Sequence, residues 1–258
     1  MGKTGNYMHT NFPISAKKHN KAIREGHRKA AHLNCDVSIF KQIHTQMNTA
    51  FKKEVNNFRL WAKECLKKPR AAEWECEYKN WHKLRPVFAD FISTKKISDL
   101  SSSEIVDIMY IIARDNEMEE IIEDLATNKK LFEQLLFYIL DSNDNDINTL
   151  VKFQFTRVLG DGTFNNVMAE KALLLLVEDS YEYTRRIALL ALGKLNSIHT
   201  EFFCKKAWDS NHEYQRIMVL WTLKEIESEK LSKYLQLAKE DGRKYLVKNA
   251  NDIMVAKK

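Results

Sequence analysis

Four acidic residues stand at a near-constant distance ahead of four basic ones. Asp146 precedes Lys152, Asp179 precedes Arg185, Asp209 precedes Arg216 and Asp241 precedes Lys248, at separations of six, six, seven and seven. A carboxylate beside a cation can relay a proton or grip a polar substrate. Catalysis needs one such site, whereas this pairing recurs through the second half of the chain. Periodicity therefore argues for a structural role. No residue is assigned a catalytic function, and the chain is expected not to be an enzyme.

Other chemical signatures fail on their context. Gly2-Lys3-Thr4 mimics the end of a phosphate-binding loop but lacks the first glycine and the strand before it. The acidic stretch Asp141–Asp146 has no glycine at its sixth position, and Lys152 stands where a calcium loop needs Glu. Of the eight histidines, five lie in the first 44 residues, and none has metal-ligand spacing with a second ligand. Neither a metal nor a cofactor is expected. Cys35, Cys65 and Cys204 lie in apolar helical surroundings, Cys76 lies among charges, and no C-x-x-C occurs. Free thiols in a reducing compartment follow from that pattern.

The composition narrows the fold. Among 258 residues there are seven Gly and three Pro, about a third of the usual ~12%. That shortage excludes a turn-rich β-sandwich, a glycine-fingerprint nucleotide fold and low-complexity chains. No apolar run is long enough to span a bilayer and the start carries no signal-peptide core, so a soluble, cytoplasmic protein is expected. The net charge of +6 is unevenly spread: +6 over residues 1–34, +6 over 35–96, −10 over 97–146 and +4 over the rest. Basic and acidic blocks in one chain fit an anionic partner, docking of the basic segment on the acidic one in cis or in a dimer, or equally a set of solvated helix faces with no partner.

Three regions must position these residues. Residues 1–34 read as a basic segment expected to be partly disordered, in which Lys17, Lys18, Arg24, Arg28 and Lys29 are candidates for binding a partner. Residues 35–96 read as a long helical hairpin. Phe40, Ile43, Met47, Phe51, Val55, Phe58, Ala62 and Cys65 make one apolar stripe, Pro69 stops it, and Trp74, Tyr78, Trp81, Phe88 and Phe91 line a second helix that Pro86 kinks. Residues 97–258 read as short amphipathic helices separated by Asp/Asn/Ser turns.

An internal repeat runs through that last region, with units at about 103–145, 146–178, 179–208, 209–240 and a partial 241–258. Leu159, Leu192 and Leu223 share a column, Leu189 matches Leu220, and Gly160 and Gly193 each follow their leucine. Asp179-Ser180 and Glu182-Tyr183 recur as Asp209-Ser210 and Glu213-Tyr214. One helical hairpin cannot bury its apolar face alone, but a stack can, which predicts an all-α fold of the α-solenoid (α-α superhelix) type. The turn Asp, the later basic residue and the small apolar run, as in Asp179 through Arg185-Arg186-Ile187-Ala188-Leu189 to Gly193, resemble a HEAT-type repeat. The resemblance implies that Asp146, Lys152, Asp179, Asp209 and Asp241 belong to a ladder of ties between adjacent repeats.

The stretch from Asp209 through Gln215-Arg216 to Leu223, with Arg243–Ala250, is similar to the carboxy-terminal repeats of HEAT-like alkylpurine DNA glycosylases. That similarity implies that Arg216 contacts a DNA backbone, with Arg185, Arg186 and Lys248 as further candidates for nucleic acid or another partner. The family's catalytic Asp and its tryptophans have no counterpart in Tyr183-Thr184-Arg185-Arg186. Two functions follow: a non-catalytic solenoid or scaffold that binds a macromolecular partner, protein or DNA backbone, on its concave face, or a DNA-binding or DNA-repair protein. Neither involves a membrane or a small-molecule cofactor.

Overall fold

The computed structural model describes residues 42, 45–67, 74–142 and 145–255. The chain divides into two compact units, Met1–Ala50 and Phe51–Lys258. In the first, residues 42 and 45–50 are helical. The candidates Lys17, Lys18, Arg24, Arg28 and Lys29 lie outside the described residues. The second unit is all-α, and no strand occurs among its described residues.

Its first helix, α1 (residues 51–65), buries Phe51, Val55, Phe58, Ala62 and Cys65, the stripe read from the three-and-four spacing. The aromatic stretch that follows is not one helix. A 3-10 turn spans Trp74–Glu77, and α2 runs Trp81–Ile92 with Pro86 inside it. The break sits where Tyr78 turns its ring edge-on to Phe58, 4.8 Å between centroids, so ring packing sets the path rather than helix propensity. Phe51 stacks on Phe91 near the end of α2, and Phe58 meets Trp81 at its start. The two helices therefore run antiparallel.

Ten further helices follow: α3 (Ser102–Arg114), α4 (Glu120–Thr127), α5 (Lys129–Leu140), α6 (Asp146–Leu159), α7 (Asn166–Leu176), α8 (Glu182–Lys194), α9 (Thr200–Asp209), α10 (Glu213–Glu225), α11 (Leu231–Asp241) and α12 (Lys244–Val255). Side-chain caps start the earlier ones: Ser101 and Glu104 form a capping box on α3, and Asn128, Asn145 and Asn165 cap α5, α6 and α7. The start of α12 is capped from outside its own loop. Glu213 Oε1 accepts the backbone N–H of Tyr245 at 3.1 Å and of Leu246 at 3.2 Å.

Helices α3, α6, α8, α10 and α12 pack one on the next in a row. Helix α7 lies against both α6 and α8, α9 against α8 and α10, and α11 against α10 and α12. Each of the stretches 146–178, 179–208 and 209–240 thus contributes one helix to the row and one beside it. Two glycines set the closeness within the row. A Cβ on Gly160 would stand 2.8 Å from Cβ of Ala191, and one on Gly193 would stand 2.9 Å from Cγ2 of Thr222. The leucine columns 159/192/223 and 189/220 are fully buried, in a single core that continues through the unit. Among the described residues no helix is long and apolar enough to cross a membrane.

Candidate functional site

The periodic acid/base residues mark the joints between the row helices and the loops that enter the next one. Lys152 Nζ on α6 lies 3.0 Å from Asp179 Oδ2, both side chains being less than a tenth exposed. Asp179 Oδ1 also accepts the N–H of Tyr181 at 2.9 Å, which shapes the turn into α8. The same arrangement recurs between α10 and the end of α11, where the chain turns into α12. Arg216 Nη1 pairs with Asp241 Oδ2, and Arg243 grips both oxygens of that carboxylate, Nε–Oδ1 at 2.6 Å and Nη2–Oδ2 at 2.7 Å. These guanidinium hydrogen bonds, that of Arg243 foremost, hold the Asp241 carboxyl down at about 2.

The intermediate joint is built differently. Arg185 Nη1 donates to the backbone oxygens of Asp179 at 2.7 Å and Ser180 at 2.8 Å. Asp209 is not its partner. Asp209 is the last residue of α9, exposed, and bound to Lys205 at 2.5 Å. The spacing of the acids hides a shift of register. Helices α8, α10 and α12 start 31 residues apart, at Glu182, Glu213 and Lys244, and three residues before each start stand Asp179, Ser210 and Asp241. Like the two aspartates, Ser210 accepts from the backbone N–H two residues on, His212 to Oγ at 3.4 Å. The same register sets Lys248 level with Arg186 rather than Arg185. Lys248 is exposed. Asp146, the first residue of α6, is exposed as well.

Of the remaining basic candidates, Arg216 also donates Nε to the Trp208 backbone oxygen at 2.9 Å and lies over the Trp208 ring, 4.9 Å from its centroid. Its side chain is 17% exposed, so its charge is spent inside the fold. Arg186 is tied to Glu182 at 2.9 Å.

Sequence reading singled out these bases and passed over aromatic residues of the same period. Tyr183, Tyr214 and Tyr245 occupy one position on α8, α10 and α12, 31 residues apart, and Tyr214 and Tyr245 are about half exposed. Arg186 sits between two of these rings, its guanidinium carbon 4.8 Å from the Tyr183 centroid and 5.1 Å from that of Tyr214. Phe153 on α6 continues the row, edge-on to Tyr183 at 5.2 Å. Trp221, one step along α10, is half-buried and donates Nε1–H to Asn249 Oδ1 on α12 at 2.8 Å. The recurring Glu-Tyr pair was the signal for this row. A second missed tie joins Ser197 to Glu170 and Ser228 to Glu201, each at 2.5 Å, behind the left-handed residues Asn196 and Glu227 that end α8 and α10.

No three His, Cys, Asp or Glu side chains among the described residues are grouped to hold a metal ion. Cys65 and Cys204 are buried and Cys76 is exposed. Burial pushes the Cys204 thiol up to about 12, which keeps it protonated and unreactive at neutral pH. Comparison of the chain with known protein families, with curated proteins and with solved structures finds no match.

Proposed function

We propose that the chain is a non-catalytic binding module, a HEAT-like α-solenoid whose concave face is the row α6, α8, α10 and α12 and whose partner is a protein. One contrast carries this reading. Two of the recurring basic residues, Lys152 and Arg216, are spent on pairs inside the fold, while Tyr214 and Tyr245, which recur on α10 and α12, stay at the surface. A phosphate track needs cations free to face the backbone, since each neutralised phosphate needs its own Lys or Arg. Arg186 is matched by Glu182, so the aromatic row is close to neutral where Tyr183 and Tyr214 flank it. Tyr and Trp supply large contact area at a low cost in side-chain entropy, which suits a protein interface.

The test is photocrosslinking in native lysate. With p-benzoylphenylalanine in place of Tyr214 or Trp221, a discrete protein adduct is expected. The same group in place of Phe202, exposed on α9, should give none. Equal crosslinking from both places would remove the assignment of the face. A DNA duplex bound at micromolar or tighter affinity, weakening ~10³-fold between 50 and 200 mM salt, would move the partner to nucleic acid.

A further inference from the structure

The joint at Arg185 is an ion-pair rung with its acid missing. Its neighbours on both sides are complete: Lys152 has Asp179 and Arg216 has Asp241. Where those two carboxylates stand, the middle joint has Ser210, whose hydroxyl is short, uncharged and donates to the Ala207 backbone oxygen at 2.6 Å. Arg185 is nonetheless held in place by the two carbonyls on Nη1. Among the described residues, its Nε and Nη2 have no acceptor.

Arg185 and Ser210 line one cleft of about 530 Å³, whose apolar walls include Val177, Phe203 and Ala207. The cleft's acids are all matched. Glu178 binds Lys206 at 2.5 Å, Asp179 binds Lys152, and Asp209 binds Lys205. Arg185 is the cation at this cleft that lacks an opposite charge. A planar guanidinium anchored on one nitrogen, with two others open, matches a carboxylate in the geometry of a bidentate pair.

We propose that this cleft binds a carboxylate presented by a protein partner, an Asp or Glu side chain or a chain terminus, which completes the rung from outside. With the cleft's acids each paired to a lysine, one unmatched cation remains, which a singly charged carboxylate balances and a doubly charged phosphate would exceed. The source of the carboxylate rests on the protein-partner reading above. The site itself does not, because a free carboxylate probes it without any partner.

The experiment follows the Arg185 Nε–H resonance of the full chain, assigned by its loss in Arg185→Lys, during titration with sodium acetate. Sodium chloride and sodium phosphate at matched ionic strength and pH are the comparisons. A saturable shift with acetate in the millimolar range, absent with chloride, is expected. Ser210→Asp supplies the missing acid from within and should abolish the response, while Ser210→Ala should retain it. Each variant is checked for native helicity. A shift equal in chloride, no saturable shift, or tighter binding of phosphate would overturn the proposal. So would an acetate response seen only in Asp209→Asn, since Asp209 would then close the rung itself.

Discussion

Lys152 and Asp179 lie 27 residues apart and meet at 3.0 Å in a joint that excludes most water. The ammonium comes from the middle of a row helix and the carboxylate from the turn that starts the next, so the pair fixes how one hairpin sits on its neighbour. Removing Lys152 leaves the buried Asp179 carboxylate without its cation, and an unmatched buried charge of this kind costs about 3–5 kcal/mol. Lys152→Met alone should therefore lower the urea midpoint strongly. Lys152→Met with Asp179→Asn should recover a substantial part, because Asn keeps the turn bond to Tyr181 and carries no charge. Additive losses in this double-mutant cycle would show that the two residues act separately.

The glycines of the row make a steric prediction. Gly160→Ala and Gly193→Ala each place a methyl under 3.0 Å from a neighbouring side-chain carbon, and overpacking of this kind costs about 1–3 kcal/mol. For Gly193 the obstacle is a single methyl, Cγ2 of Thr222. Thr222→Ser removes it, so the double variant Gly193→Ala, Thr222→Ser should be more stable than Gly193→Ala alone by thermal unfolding. No rescue would mean that the helix backbones, rather than this methyl, set the spacing.

Arg216 separates the structural from the nucleic-acid reading. With its guanidinium between Asp241, the Trp208 carbonyl and the Trp208 ring, Arg216→Met should lower Tm by several degrees. It should leave the salt dependence of any DNA binding unchanged. Lys248 is exposed, so Lys248→Met should leave Tm within about a degree. A phosphate contact at either residue would instead reduce the salt slope by about one ion without loss of stability.

The all-helical fold was legible because the apolar period is strong and because hairpins that cannot bury their own faces must stack. Leu159, Leu192 and Leu223 were placed in one column from their spacing, and all three are fully buried. Two features of the site were not legible, for different reasons. Asp209 has the right residue type one position too early, and only the helix starts at Glu182, Glu213 and Lys244 reveal that Ser210 holds the place of the acid. The tyrosines at 183, 214 and 245 are visible as a repeat, but a periodic aromatic on a helix is buried more often than exposed. Composition cannot say which side of the helix faces out. The break between the 3-10 turn Trp74–Glu77 and α2 escaped for a third reason, since it arises from long-range ring packing onto Phe58 rather than from a local stop signal.

Two carboxyls give stability opposite slopes with pH. Asp241, held at about 2 against an ordinary 3.8, contributes stability that is fully present above 3.8 and is lost as pH falls through 2. Asp115, at the end of α3, is buried and raised to about 6, chiefly by desolvation, although its Oδ2 accepts the Ile121 N–H at 2.7 Å. Its contribution runs the other way, present in full below 3.8 and lost as pH rises through 6. A shift of about two units corresponds to roughly 3 kcal/mol between the two limits. Asp115→Asn keeps an oxygen for Ile121 and carries no proton to lose. The variant should therefore gain on the wild type between pH 4 and pH 7.5, by an amount approaching that figure, in urea unfolding at the two pH values. A constant difference between the two proteins at both pH values would show that Asp115 keeps an ordinary affinity for its proton in the folded chain.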